Sequence, residues 1–238
     1  LAKVDDRRDK HQTCYFTRET IARSTTAFVK ALGIFLAIVL VCFGYWYVHR
    51  PITYPAGVLI SSDPEQINLP SDTPAFAQGT FRLKPLAVFS IDARVLHRKV
   101  YRYDNQAALV PVDLALGWGP MSDQRVLDQL SISQSARFYW YQYRQPPIPK
   151  EQIISHSTNV HIIPATSAIA SRCKSLRAGT LIHLSGDLVE ATGPGIGSWR
   201  SSLSRTDSGN GACELMWVKE MSVLPENEPP DRPSLARR

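Results

Sequence analysis

Several kinds of chemistry are missing from this chain. Its 238 residues hold four cysteines and six histidines, with no Cys-x-x-Cys or Cys/His ligand spacing. That removes the usual basis for a structural zinc site or a dithiol redox centre, and no metal or cofactor is expected. There is no Gly-x-Ser-x-Gly elbow and no Ser-x-x-Lys in a setting fit for a nucleophile. "GPGIG" at 193–197 lacks a phosphate loop's lysine and its parallel strand–helix context, so it reads as a turn. The net charge of +6 is not gathered into a basic stripe, and nucleic acid is not expected as a partner.

Charge is also absent from Ala31 to Val48, eighteen residues bounded by Lys30 and by His49-Arg50. A bilayer core of about 30 Å needs roughly 20 mostly apolar helical residues, because lipid cannot satisfy backbone polar groups that a helix satisfies internally. Tyr45, Trp46 and Tyr47 crowd one end of the run, where amphipathic rings favour the interface. The run reads as a transmembrane helix over 31–50. Lys3, Arg7, Arg8, Lys10, Arg18, Arg23 and Lys30 precede it, and after Arg50 the next basic residue is Arg82. The positive-inside rule therefore keeps the N-terminal segment 1–30 cytoplasmic and exports the rest. Bulky aromatics stand where a signal peptidase needs small residues, so the helix is expected to stay as an anchor in the lipid bilayer.

In an exported domain oxidising conditions let disulfides persist, and Cys173 and Cys213 are the pair available there. Cys173 falls on the apolar face of a helix expected to start at Thr166, with Ile169 and Leu176. Cys213 shares a strand face with Leu215 and Trp217. Both thiols point to a core, and a Cys173–Cys213 bridge is expected.

Residues 51–80 are rich in Pro, Ser and Asp, and read as a periplasmic linker with one short strand at 57–61. The tail 224–238 carries too little apolar surface to fold. Between them, 81–223 reads as an α+β domain. Ala87, Phe89, Ile91, Ala93 and Val95 alternate with Ser90, Asp92 and Arg94, the pattern of a half-buried strand. "RFYWYQYR" at 137–144 and "TLIHLSGDLVEA" at 180–191 repeat it. Strands at 180–191, 198–204 and 213–218, separated by "GPGIG" and "DSGNG", suggest an antiparallel meander. Two short helices are expected, capped by Ser122 and Thr166. The architecture expected is one N-terminal transmembrane helix and a mainly antiparallel β domain, built as a small barrel or strongly twisted sheet.

"HSTNVHIIPAT" at 156–166 is the stretch that most resembles a site. His156 and His161 are five apart, which places them on opposite faces of a strand and about 140° apart on a helix. They cannot share a metal. Asn159 and His161 do share a strand face, opposite Val160 and Ile162. A hydrolase built here would use His161 as general base, with Asn159 beside it and Asp113 or Asp123 assisting. Asp207 and Glu214 form a second, weaker carboxylate pair. Trp118 in "GWG" and the face carrying Tyr139, Tyr141 and Tyr143 offer aromatic contact area for a partner.

"VDLALGWGPMSD", "HSTNVHIIPA" and "SSLSRTDSGNGACELMWV" resemble stretches of uncharacterised single-pass bacterial inner-membrane proteins, over roughly 81–221. The resemblance implies a bacterial inner-membrane setting and carries no activity. The expectation is a membrane-anchored periplasmic binding or assembly module of an envelope complex, with envelope proteins as partners and self-association left open. The alternative is the tethered hydrolase on cell-wall or other envelope substrates.

Overall fold

A computed structural model describes residues 9–204 and 212–225, with side chains described from residue 28 onward. The chain divides at Arg50/Pro51 into two compact units.

The first unit is helix α1 (Asp9–His49). Its stretch Phe28–His49 has a mean hydropathy of 2.3 and buries none of its residues within the protein. Those 22 residues extend about 33 Å as a helix, long and apolar enough to cross a membrane. At its end Tyr45 stacks on His49 at 4.1 Å, and the Arg50 guanidinium lies 4.6 Å from the Tyr47 ring.

The second unit is α+β and mostly sheet. Its elements run β1 (Glu65–Asn68), β2 (Phe76–Gln78), β3 (Phe81–Val100), β4 (Val112–Gly117), a 3-10 turn (Gly119–Ser122) and α2 (Gln124–Leu127). There follow β5 (Ser131–Ser135), β6 (Phe138–Gln142), α3 (Lys150–Ser155), β7 (Ser157–Pro164), α4 (Ser167–Ser175), β8 (Leu181–Gly193), β9 (Gly197–Arg200) and β10 (Glu214–Val223). The long β3 pairs through residues 82–94 with β8 and through 94–100 with β4. From β4 the ladder passes to β7, β10 and back to β8, so the pairings return to β3 in a closed cycle. Only the β7–β10 ladder in that cycle is parallel.

The cycle places alternate residues of all its strands against one another. Phe89, Ile91, Leu114, Ile162, Leu184, Met216 and Val218 pack into one cluster with Trp118 and with Ile169 and Cys173 of α4. Each large aliphatic or aromatic side chain fully buried there stabilises the fold by about 1.5–3 kcal/mol. Two smaller clusters lie outside it, one around Leu83, Val189 and Leu215, the other joining Ala115 of β4 to Met121 of the 3-10 turn and Ile153 of α3.

Several expectations are corrected. Residues 51–80 are not a free linker. The Ile52 amide donates to Ala178 O at 2.8 Å, Leu59 and Ile60 amides to Ser122 Oγ, and β1 and β2 both pair with β3. The strand expected at 57–61 is irregular: the Gly57, Leu59 and Ile60 amides donate to the side chains of Asp123 and Ser122, and Ile60 O accepts from the Gly119 amide, with no ladder formed. Gly179, at φ +92°, makes this docking possible: a Cβ there would sit 2.0 Å from Ile52 O. Buried Arg94 secures the same segment, donating to Ser122 O and to Ile52 O while facing the Tyr54 ring. Ser122 ends the 3-10 turn, and α2 is capped instead by Asp123, whose side chain accepts from the Arg125 amide. Thr166 caps α4 through Ile169 N. The meander is not formed: β9 pairs with β8 at 190–193, and β10 pairs with β8 at 182–188 and with β7, not with β9. "DSGNG" and Asp207 lie outside the described residues.

Cys173 and Cys213 are not bonded. Leu215 and Trp217 lie on one face of β10 and Met216 and Val218 on the other, and the two faces serve different clusters. Leu215, on the face shared with Cys213, packs in the Leu83 cluster, whereas Met216 and Val218 pack with Cys173. The two thiols belong to opposite sides of the sheet.

Candidate functional site

The polar face of "NVH" meets a partner strand of equal interest. In the antiparallel β4–β7 ladder Asp113 stands opposite His161 and Ala115 opposite Asn159. Over this face lies the hairpin β5–β6, joined by the two-residue turn Ala136-Arg137. Both turn residues have positive φ, +48° and +68°. That is the geometry two-residue hairpins favour, normally with Asn or Gly, because an L side chain there costs roughly 1–2 kcal/mol per residue.

The strain puts Arg137 where several groups hold it. Its guanidinium donates to Asp113 Oδ1 at 3.1 Å, Asp104 Oδ1 at 2.6 Å and Val110 O at 2.9 Å, and it lies 3.6 Å from the centre of the Tyr101 ring. Asp113 is fully buried, and its Oδ1 also lies 2.9 Å from His161 Nδ1. That separation suits an ion pair, but the atoms are not aligned for a hydrogen bond, and Asp113 Oδ2 has no partner among the described residues. The His161 ring lies against Trp199 with centroids 4.7 Å apart and is 3% exposed. Burial, and then the negative charge of Asp113, push the Tyr101 hydroxyl up to about 12.

Asn159 is tied into a neighbouring chain of bonds. Its Oδ1 accepts from Gln134 Nε2 at 2.5 Å, and its amide nitrogen donates to Arg137 O at 3.0 Å and faces Cys213 Sγ at 3.7 Å. Gln134 Oε1 in turn lies 2.9 Å from His97 Nδ1. Asn159 and His161 thus meet the hairpin through different groups, Asn159 through Gln134 and the turn carbonyl, His161 through the Asp113–Arg137 pair.

Other expected site residues are placed elsewhere. Asp123 accepts from the Gly57 amide at 3.0 Å and from Arg125, which hold its carboxyl below the usual range against the effect of burial. It serves the docked 52–60 segment, not His161. Trp118 is 1% exposed and donates to Asp63 Oδ1 at 2.9 Å, so it is a core residue with its polar tip satisfied, not a contact surface. The side chains of Tyr139, Tyr141 and Tyr143 turn inward onto the Met121–Ile153 cluster and are only partly exposed. Trp140, on the other face of β6, is exposed at 52%. Glu214 is buried and accepts from the Thr158 hydroxyl.

Tyr101, Asp104 and Trp199 went unremarked in the sequence. Their meeting depends on contacts distant along the chain, and the turn that delivers Arg137 carries neither Gly nor Asn to announce it.

Beside the hairpin opens a cleft of about 290 Å³. β6 walls it with Phe138, Tyr139 and Tyr141, α3 with Lys150, β7 with Asn159, and Cys213 stands at the approach to β10. Among the described residues no three His, Cys, Asp or Glu side chains converge as metal ligands. No protein-family model, curated protein or solved structure matches the chain.

Proposed function

We propose that this chain is a membrane-anchored periplasmic module that binds an envelope protein and helps assemble an envelope complex. In this reading α1 spans the bacterial inner membrane once, N-terminus inside. The closed cycle of β3, β4, β7, β10 and β8 is a small Greek-key barrel. Its first long strand pairs with both the second and the fourth, the third runs parallel to the fifth, and a helix joins third to fourth. That arrangement is similar to the OB type of barrel, in which the face of the second and third strands and the adjoining loops take ligands. Fold alone carries no function, so the reading rests on the site.

The observation that carries it is the covering of that face. Here the chain's own hairpin occupies it and neutralises Asp113 with Arg137. Ligand-facing groups are left around the cleft beside β6, an aromatic and polar surface suited to a protein partner. A photo-crosslinking residue in place of Trp140, in the full chain in intact cells, should capture a discrete envelope protein. Absence of any adduct there, with the chain present in the membrane, refutes the reading. A phosphatase fused at the C-terminus should be active, and an active cytoplasmic reporter inverts the orientation.

The hydrolase alternative draws on the His161–Asp113 contact. Its general base would have to reach substrate past Trp199 and the hairpin, which weighs against it. Cleavage of purified peptidoglycan by the full chain, abolished by His161→Gln, would favour it.

A further inference from the structure

Neither edge of the hairpin has a partner strand among the described residues, and the edge along β6 is the one that borders the cleft. Among the described residues β6 pairs with β5 and with no other strand. In a two-residue hairpin the pair flanking the turn is hydrogen-bonded, and bonded and non-bonded pairs alternate from there. Ser135–Phe138, Ser133–Trp140 and Ser131–Gln142 are therefore the bonded pairs, and Tyr139 and Tyr141 turn their N–H and C=O groups outward. No backbone–backbone bond among the described residues takes up those groups. Both residues line the cleft. An open edge of this kind is a template for one more strand.

The cleft also carries a charge preference. Lys150 lines it and makes no ion pair among the described residues. Ser157 and Thr158 add hydroxyls on the wall that faces β6. Donor and acceptor pairs at Tyr139 and Tyr141 are two residues apart, about 6.8 Å along a strand, the repeat of another extended backbone.

We propose that the outer edge of β6 docks an extended segment of a partner protein, which adds as a third strand to the hairpin and sets a carboxylate against Lys150. Main-chain bonds to Tyr139 and Tyr141 supply affinity, and the cation selects an acidic segment. This deepens the module reading and rests on it.

The test uses the full chain in lipid nanodiscs and a short synthetic peptide of alternating threonine and valine with a central glutamate. A second peptide carries N-methyl groups on the amides of one edge, which removes the donors and leaves the side chains. The expected result is slowed hydrogen exchange at the Tyr139 and Tyr141 amides with the first peptide, and binding weaker by about tenfold with the second. Lys150→Glu should weaken the glutamate peptide several-fold and spare its glutamine counterpart. Equal binding of the N-methylated peptide, or unprotected amides, overturns the proposal. So does protection that rises with protein concentration without peptide, since the occupant is then a second copy. Peptides that fail to bind while Trp140-position adducts persist in cells overturn strand docking alone; loss of both overturns the module reading as well.

Discussion

Replacing Arg137 with alanine should destabilise the β domain by about 3–4 kcal/mol. Arg137 is 12% exposed and Asp113 fully buried, so solvent screens this pair little. Removing one member of a buried pair costs roughly 3–5 kcal/mol, because the remaining charge is left uncompensated. Loss of the guanidinium from the Tyr101 face contributes about 1 kcal/mol within that range. For a domain of this size each kcal/mol moves the midpoint by about 2–4 °C, so thermal unfolding should fall by roughly 10 °C. Tryptophan fluorescence of the full chain in detergent, followed against temperature and urea, reads both. Arg137→Gly should be milder than Arg137→Ala by about 1 kcal/mol, since it relieves the positive φ that alanine keeps. A loss under about 1 kcal/mol for Arg137→Ala would refute the claim that this cation compensates Asp113.

Three further outcomes are expected. Burial raises the Tyr101 hydroxyl and the Cys173 thiol to about 12, from ordinary values of 10 and 9. A group raised in the fold stabilises it fully below its unfolded value, so stability should be intact at pH 8 and fall between about pH 9 and 12; a flat profile by urea titration contradicts this. Under non-reducing conditions both Cys173 and Cys213 should be alkylatable, Cys213 in the folded protein and Cys173 only after denaturation, and mass spectrometry showing them linked would restore the bridge. Gly179→Ala should cost at least about 1–3 kcal/mol and open 52–60 to protease, because the new Cβ meets Ile52 O at 2.0 Å; unchanged proteolysis would remove this glycine from the docking.

The parts legible in the sequence are those that depend on local periodicity. The uncharged run from Ala31 lies within the apolar part of α1, and the alternation of Ala87, Phe89, Ile91, Ala93 and Val95 marks residues that are all buried. Thr166 announced α4, and the shared face of Asn159 and His161 is real. What escaped depends on partners far along the chain. The 51–80 segment looks polar and loose, yet side chains of Ser122, Asp123 and Gln124 satisfy its amides. Alternation sets Cys213 with Leu215 and helical spacing sets Cys173 with Ile169, but no periodicity says which cluster a face belongs to. Opposite-facing residues of one strand can look equally buried when both sides of the sheet are covered.

Ala136 and Arg137 carry a further consequence. Swapping them for Asn-Gly would give the hairpin a relaxed bend and take away the guanidinium that reaches Asp113. Bend and clasp occupy one residue, so the chain cannot ease the first without unfastening the second.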